Sequence, residues 1–335
     1  MMSYLNGALQ GKQILITGIG GFIGRRLALR LAAEEKAVVT GIDLNLDKTA
    51  QLAEVGVQLV QADIQNQAIM AKHLAGIEIV FHLAARLGRF GGSAELAHSI
   101  NVNATKQVIK QAATMGVSRV VFASTISAYG FPTQPVMNET LPLDTEQVEI
   151  YGRTKALAEQ RAMALANELG IEVAVIRTSM VYGPESDQWT LAMLDLVQKG
   201  LPVIFGDGSG HAYPAYIDNV VDGLLLTAVH PAATNEAFNI CDPAITLREF
   251  FTYYGKMCGR QPRQIPLWAT NIIIVINKLL RLKLPINRGR LKQSRLKVQY
   301  PTTKAEKMLG YQVRVPIPKG MKRTEVWLRE EGIIR

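Results

Sequence analysis

The chain is 335 residues long, 48% hydrophobic and 19% charged, too apolar for disorder and long enough for a nucleotide-binding domain plus a smaller part. Its net charge of +9 is uneven: residues 256–335 hold 19 Lys and Arg against 4 Asp and Glu, and the remainder is net negative. Cys241 and Cys258 form neither a disulfide framework nor a metal spacing, and no apolar run reaches the roughly 18 residues of a spanning helix.

The first residues, MMSYLNGALQGK, lack the apolar core of a signal peptide, which together with the cysteine usage predicts a cytoplasmic protein without a metal site. Gln13–Thr17 then reads as a buried parallel strand, and Arg25–Ala33 has helical periodicity. Between them lie Gly18, Gly20, Gly21 and Gly24. In such a turn Gly18 permits the reversal, Gly21 lets a pyrophosphate approach the backbone, and Gly24 lets the helix pack on the strand. The helix N-terminus adds free N–H groups and a positive dipole, so the stretch predicts a dinucleotide site.

Short apolar runs and helical stretches then alternate to about residue 180. The expected strands are Ala37–Asp43, Val57–Ala62, Ile77–Leu83, Arg119–Ser124 and Glu172–Thr178. The expected helices are Gly21–Glu34, Asp47–Ala53, Gln67–Leu74, Ala94–Met115 and Ile150–Leu169. This order predicts an α/β fold: a Rossmann-like, doubly wound parallel sheet over 1–180, with a smaller, discontinuous C-terminal substrate domain mainly in 181–335.

Asp43 closes the second strand, where an acid accepts from adenosine ribose hydroxyls and repels a 2′-phosphate, favouring NAD over NADP; Lys48 is close by. A turn or N-cap role would also suit Asp43. Asp63, after the third strand, either caps the next helix or reaches the adenine amino group. His82 has no metal or nucleophile partner in the pattern and reads as a packed strand histidine.

The fifth strand ends in hydroxyls, Ser124-Thr125-Ile126-Ser127, at the edge where open α/β sheets bind ligands. Tyr151 and Lys155 follow, four residues apart on one helical face; a lysine beside a phenol is expected to lower its pKa and suit it to acid/base work. The same spacing occurs at Tyr300 and Lys304, but Pro301 there points to a loop or strand end. Only Tyr151 begins a helix after the hydroxyl-bearing strand.

Together, Thr17–Gly24, Asp43, Asp63, Leu83–Ala85, Ser124–Gly130 and Tyr151–Lys155 resemble the extended short-chain dehydrogenase/reductase superfamily. The resemblance runs on through Arg177–Pro184, Gly206–Gly208, Tyr216–Val220 and Phe238–Ile240. HLAARLGRFGG, YGRTKALAE and Leu309-Gly310-Tyr311 look most like its 3β-hydroxysteroid dehydrogenase-like branch. The resemblance implies that Tyr151 is the general acid/base, Lys155 its tuner and ribose ligand, and Thr125 the hydroxyl on the substrate oxygen, with Ser124 beside it. It further implies that Phe22, Ile23, Ile64, Leu83, Ala84, Ala85, Asn101, Thr178 and Met180 join the glycines, Asp43 and Asp63 around NAD, and that Arg86 and His211 border the substrate. Asn101 could be only a helix cap. A homodimer is implied as well.

Two departures separate the chain from the sugar-nucleotide branch of that superfamily. His211 stands near the place of that branch's phosphate-binding arginine, and its Arg-x-Gly-Asp segment is replaced by Arg295-Leu296-Lys297-Val298-Gln299-Tyr300. The expected activity is therefore NAD-dependent oxidation or reduction of a secondary alcohol or ketone on an apolar, sterol-like or other lipid substrate. A sugar-nucleotide epimerase or dehydratase with the same Tyr151 and Lys155 is the alternative. Pro266–Leu284 carries an amphipathic helix pattern, with basic residues following to Lys297, read as a lid or core helix or, over 266–297, as a peripheral membrane contact. No aromatic platform interleaves its charges, so no nucleic acid is expected.

Overall fold

The computed structural model describes residues 5–87, 93–280, 291–292 and 294–335. From the N-terminus come β1 (Gln13–Thr17), α1 (Phe22–Leu29), β2 (Val38–Asp43), α2 (Ala50–Glu54), β3 (Gln58–Gln61), α3 (Gln67–Leu74) and β4 (Ile79–His82). Next are α4 (Ala94–His98), α5 (Thr105–Thr114), β5 (Arg119–Thr125), α6 (Ile150–Leu169) and β6 (Glu172–Thr178). The expected helix over 94–115 is therefore interrupted, because Ser99–Ala104 winds as a π-helical turn that carries Asn101 inward.

Alternation along each strand divides the core. Ile14 and Ile16, Val121, and Ala174 and Ile176 face one cluster; Leu15, Val120 with Phe122, and Val173 with Val175 face another. On the first face lie Leu27 and Ala28 of α1. Val108 and Ile109 of α5 and Ala158, Ala162 and Leu165 of α6 lie on the second. Helices on both faces leave no room for a polar strand surface, which is why these strands read as continuous apolar runs.

Beyond β6 the chain makes β7 (Met180–Tyr182), α7 (Ala192–Gln198), β8 (Pro202–Phe205), β9 (His211–Ala212), β10 (Pro214–Tyr216) and α8 (Ile217–Val229). The strand β11 (Ala237–Ile240) then returns to pair parallel with β6. The seven-stranded sheet has the order β11-β6-β5-β4-β1-β2-β3, so the crossover reverses between β1 and β4, where such sheets open a crevice. Outside it, β7 pairs with β10, β9 with β12 (Ile245–Thr246), and β8 with β13 (Arg263–Ile265).

The remaining helices are α9 (Leu247–Cys258), α10 (Leu267–Leu280), α11 (Thr303–Leu309) and α12 (Ile317–Glu330). The first turns of α10 leave Trp268 69% and Ile272 50% exposed while burying Thr270. Arg281 and Lys283 of the expected helix, and Arg288 and Arg290 of the basic stretch after it, lie outside the described residues. No helix among the described residues is long and apolar enough to cross a membrane.

Candidate active site

The ends of β1, β4, β5 and β6 meet at one sheet edge because all four strands run parallel in register, with Thr17 opposite His82, His82 opposite Phe122, and Thr125 opposite Thr178. Beside it, over the ends of β1, β2, β3 and β4, opens a cleft of about 520 Å³, lined by Gly18, Gly20, Gly21, Phe22, Asp43, Asp63, Ile64 and Leu83–Arg86; Ser124, Thr125, Tyr151, Lys155, Thr178 and Met180 are not among its lining. Gly18 adopts φ +78°, and a Cβ on it would stand 2.6 Å from the Ala84 amide nitrogen. At Gly24 a Cβ would come within 2.3 Å of the Gly18 carbonyl oxygen, so this glycine serves close packing of helix on strand rather than the cleft itself.

Three features fit a dinucleotide. The N-terminus of α1, at Gly21, has no side-chain cap and no acid in its first turn, which suits a pyrophosphate. The Asp43 carboxylate accepts from the Gly20 amide at 2.9 Å and the Asn45 amide at 3.1 Å, which fixes it in the cleft with lone pairs to spare for a further donor. Ser124 is buried and its Oγ has no hydrogen-bond partner among the described residues.

Other expected positions resolve differently. Asp63 does not cap α3: Asn66 does, accepting from the Ile69 amide, while Asp63 accepts from Gln65. Asn101 is likewise no cap. Its Oδ1 accepts from the Arg86 amide at 2.7 Å, and its Nδ2 donates to the Arg86 carbonyl and to Thr154 Oγ1, tying the loop after β4 to α6. Thr178 donates to the Ser124 carbonyl, and the Met180 amide donates to the Tyr213 carbonyl. His211 Nδ1 donates to the Val298 carbonyl. Ile23 is partly buried against the core of α1. Lys304 donates to Glu236 and to the carbonyl of Ala237, at the opposite end of β11, whereas Tyr300 packs against Tyr129 and Tyr213, so the two do not act together.

Thr125 Oγ1 accepts from the Ser127 amide, capping the turn Ile126–Tyr129, and its own O–H remains a donor. Against that turn lies the start of α6, capped by Glu149, whose carboxylate accepts from the Gly152 amide at 2.7 Å. The contact is close: a Cβ on Gly152 would stand 2.6 Å from the Ser127 carbonyl oxygen. This approach brings the first turn of α6, with Tyr151, to the end of β5.

Lys155 is buried on the same face, its Nζ 3.9 Å from the centroid of the Phe122 ring, and Phe122 in turn stacks on His82. Burial pulls the Lys155 pKa down to about 7, with Glu159 opposing. The Tyr151 phenol is not lowered as its spacing from Lys155 suggested; burial, then the charge of Glu149, pushes it up to about 12. His82 is held between Thr17 Oγ1 (2.7 Å) and Thr105 Oγ1 (2.8 Å), and burial keeps it neutral, with a pKa of about 3.

The sequence reading did not single out Arg25 or Asp187, although both line the cleft. Arg25 donates to the Gly20 carbonyl and to Glu185, and Lys48 pairs with Asp187.

Residues 14–241 match the family described as NAD dependent epimerase/dehydratase. The 2-alkyl-3-oxoalkanoate reductase of Stenotrophomonas maltophilia (strain K279a) is 28% identical over 327 residues, 93% of this chain and 98% of that protein. The UDP-glucose 4-epimerase of Vibrio cholerae is 30% identical over 275 residues, 77% of this chain and 80% of that protein. The solved structure of the dTDP-glucose 4,6-dehydratase of Streptomyces venezuelae with NAD bound superposes with a TM-score of 0.79 at 25% identity, covering 96% of this chain and 99% of that one.

Proposed function

The chain belongs to the NAD dependent epimerase/dehydratase family, and from that premise we propose that it reduces or oxidises a secondary alcohol or ketone on an apolar substrate. The carrying observation is the abutment of α6 on the turn after β5, which gathers Thr125 and Tyr151 at the end of β5, the neighbour of β4, whose following residues Leu83–Arg86 line the glycine-lined cleft; Lys155 lies over Phe122 of that same strand β5.

NAD, when bound, supplies or takes the hydride. Thr125 donates its O–H to the substrate oxygen and orients it. Tyr151, neutral at pH 7 with a phenol near 12, is a proton donor to an oxygen that gains charge during reduction. In the reverse direction Tyr151 takes that proton, and a charged Lys155 favours the phenolate. Lys155, poised near 7, is the group through which pH sets this balance.

The apolar substrate class is supported by the surroundings of β5. Ile126, Met137, Cys241 and Val298 form a buried cluster with Tyr129, and Tyr213, Leu296 and Tyr300 pack on it. His211, near the place of a phosphate-binding arginine, spends its Nδ1 proton on a backbone carbonyl. The reductase named for a 2-alkyl-3-oxoalkanoate, matched over nearly its whole length, supports an alkyl-chain keto compound. Sugar-nucleotide epimerisation is the second reading, favoured by the likeness to the Vibrio cholerae enzyme.

The test follows NADH absorbance with alkyl 3-oxo acids, sterol 3-ketones and UDP-sugars. Turnover of the first or second group is expected; UDP-sugar conversion without net NADH change would replace this reading with the second.

A further inference from the structure

We propose that Asp187, far from the glycine-rich loop in sequence, is a second determinant of selectivity for NAD over NADP, acting by occupying Lys48. The inference rests on the reading of the cleft as a dinucleotide site with Asp43 at its ribose end.

Lys48 lies in the loop after β2, five positions beyond Asp43, and both residues line the cleft. A free lysine there would be a ready counter-charge for a 2′-phosphate and would oppose the discrimination Asp43 provides. In this chain the ammonium is not free. Lys48 Nζ stands 3.2 Å from Asp187 Oδ1 and 3.3 Å from Oδ2, and Asp187 itself lines the cleft.

The same short segment treats a second cation alike. Arg25, buried at the start of α1 and lining the cleft, donates to Glu185 Oε2 through Nε at 3.1 Å and Nη2 at 2.8 Å. Glu185 reaches it from φ +67°, a left-handed conformation that costs a non-glycine residue about 1 kcal/mol or more. Residues 185–187, which follow β7, thus set an acid against each of two basic residues of the cleft. With both cations held by an acid, neither is a free counter-charge for a dianionic 2′-phosphate, and the repulsion by Asp43 stands unopposed.

The pair is exposed, with 58% and 62% of the two side chains accessible, so the effect is modest. The experiment measures NADH and NADPH dissociation constants by nicotinamide fluorescence for the wild type, Asp187→Asn, Lys48→Met and the double variant. Asp195→Asn, which removes an acid from the exposed pair with Lys199, controls for the loss of one negative charge. Asp187→Asn should raise NADPH affinity relative to NADH by about three- to tenfold, and the gain should vanish in Asp187→Asn/Lys48→Met and at high salt. An unchanged ratio, an equal shift for both nucleotides, a gain surviving Lys48→Met, or the same gain in Asp195→Asn would overturn the proposal. Failure of the wild type to bind NADH would instead remove the cofactor reading, and this proposal with it.

Discussion

The Lys155 ammonium sits over the face of Phe122, 3.9 Å from its centroid, rather than against a carboxylate. A cation on a ring face in a buried setting is attracted by the ring quadrupole, but this does not replace the water it has lost. Hence the depressed pKa of about 7, against an ordinary 10.5.

Stability should therefore rise when this charge is removed. The folded pKa lies below the unfolded one, so the cost of burying Lys155 grows as pH falls from 10.5 to about 7 and is level below that. Lys155→Met, which keeps the aliphatic packing, should be more stable at pH 7 by on the order of 2–4 kcal/mol, and this gain should shrink toward pH 10. Turnover should be lost. Denaturant titrations at the two pH values read the effect, and a variant less stable than the parent at both would contradict it.

Tyr151→Phe removes one hydroxyl and leaves the ring. Turnover should fall by about 10²–10⁴-fold while NADH affinity holds within a fewfold. Retained turnover would remove Tyr151 from the chemistry.

The two adjacent hydroxyls should behave oppositely. Ser124 Oγ is buried without a partner among the described residues, so Ser124→Ala should leave the ligand-free protein as stable or more so, and reduce the stabilisation that added NADH confers. Thr125→Val removes the acceptor of the Ser127 amide as well as a donor, so it should cost about 1–2 kcal/mol and lower kcat. Thermal shifts with and without NADH, together with steady-state rates, distinguish the pair. Equal behaviour of the two would count against the assignment.

Gly152→Ala places a methyl where the Ser127 carbonyl stands. Relief requires the start of α6 to move off the turn, carrying Tyr151 with it. The expected loss is about 1–3 kcal/mol with a fall in kcat larger than any change in NADH affinity. An alanine variant with wild-type kcat would show that the close approach is dispensable.

How much of this could be read from residues alone varies with distance along the chain. Strands β1, β4, β5 and β6 were legible because two-sided burial leaves apolar runs such as Val120-Val121-Phe122, whereas the edge strand β3 is exposed or half-buried throughout. Helix α6 was legible for its length. The π-helical turn at Ser99–Ala104 was not, since a single turn with one added residue shifts the apolar pattern too briefly to stand out from an ordinary helix. Asp63 and Asn66 are both plausible caps by type, and only the backbone decides that Asn66 holds the Ile69 amide. Spacing placed Tyr151 and Lys155 on one face but could not foretell that burial and the charge of Glu149 would both raise the phenol. Arg25–Glu185 and Lys48–Asp187 join residues more than a hundred positions apart and leave no local signal.

The return of β11 to the sheet has a consequence during synthesis. Until Ala237–Ile240 has been made, the backbone of β6 on its outer side has no strand to pair with, although the rest of the nucleotide sheet is already complete in sequence. A nascent chain halted between residues 178 and 237 would present an open, apolar edge able to recruit another strand. The last edge of the sheet is thus closed by residues that follow a long excursion, and translation speed through 179–236 sets how long that edge stays open.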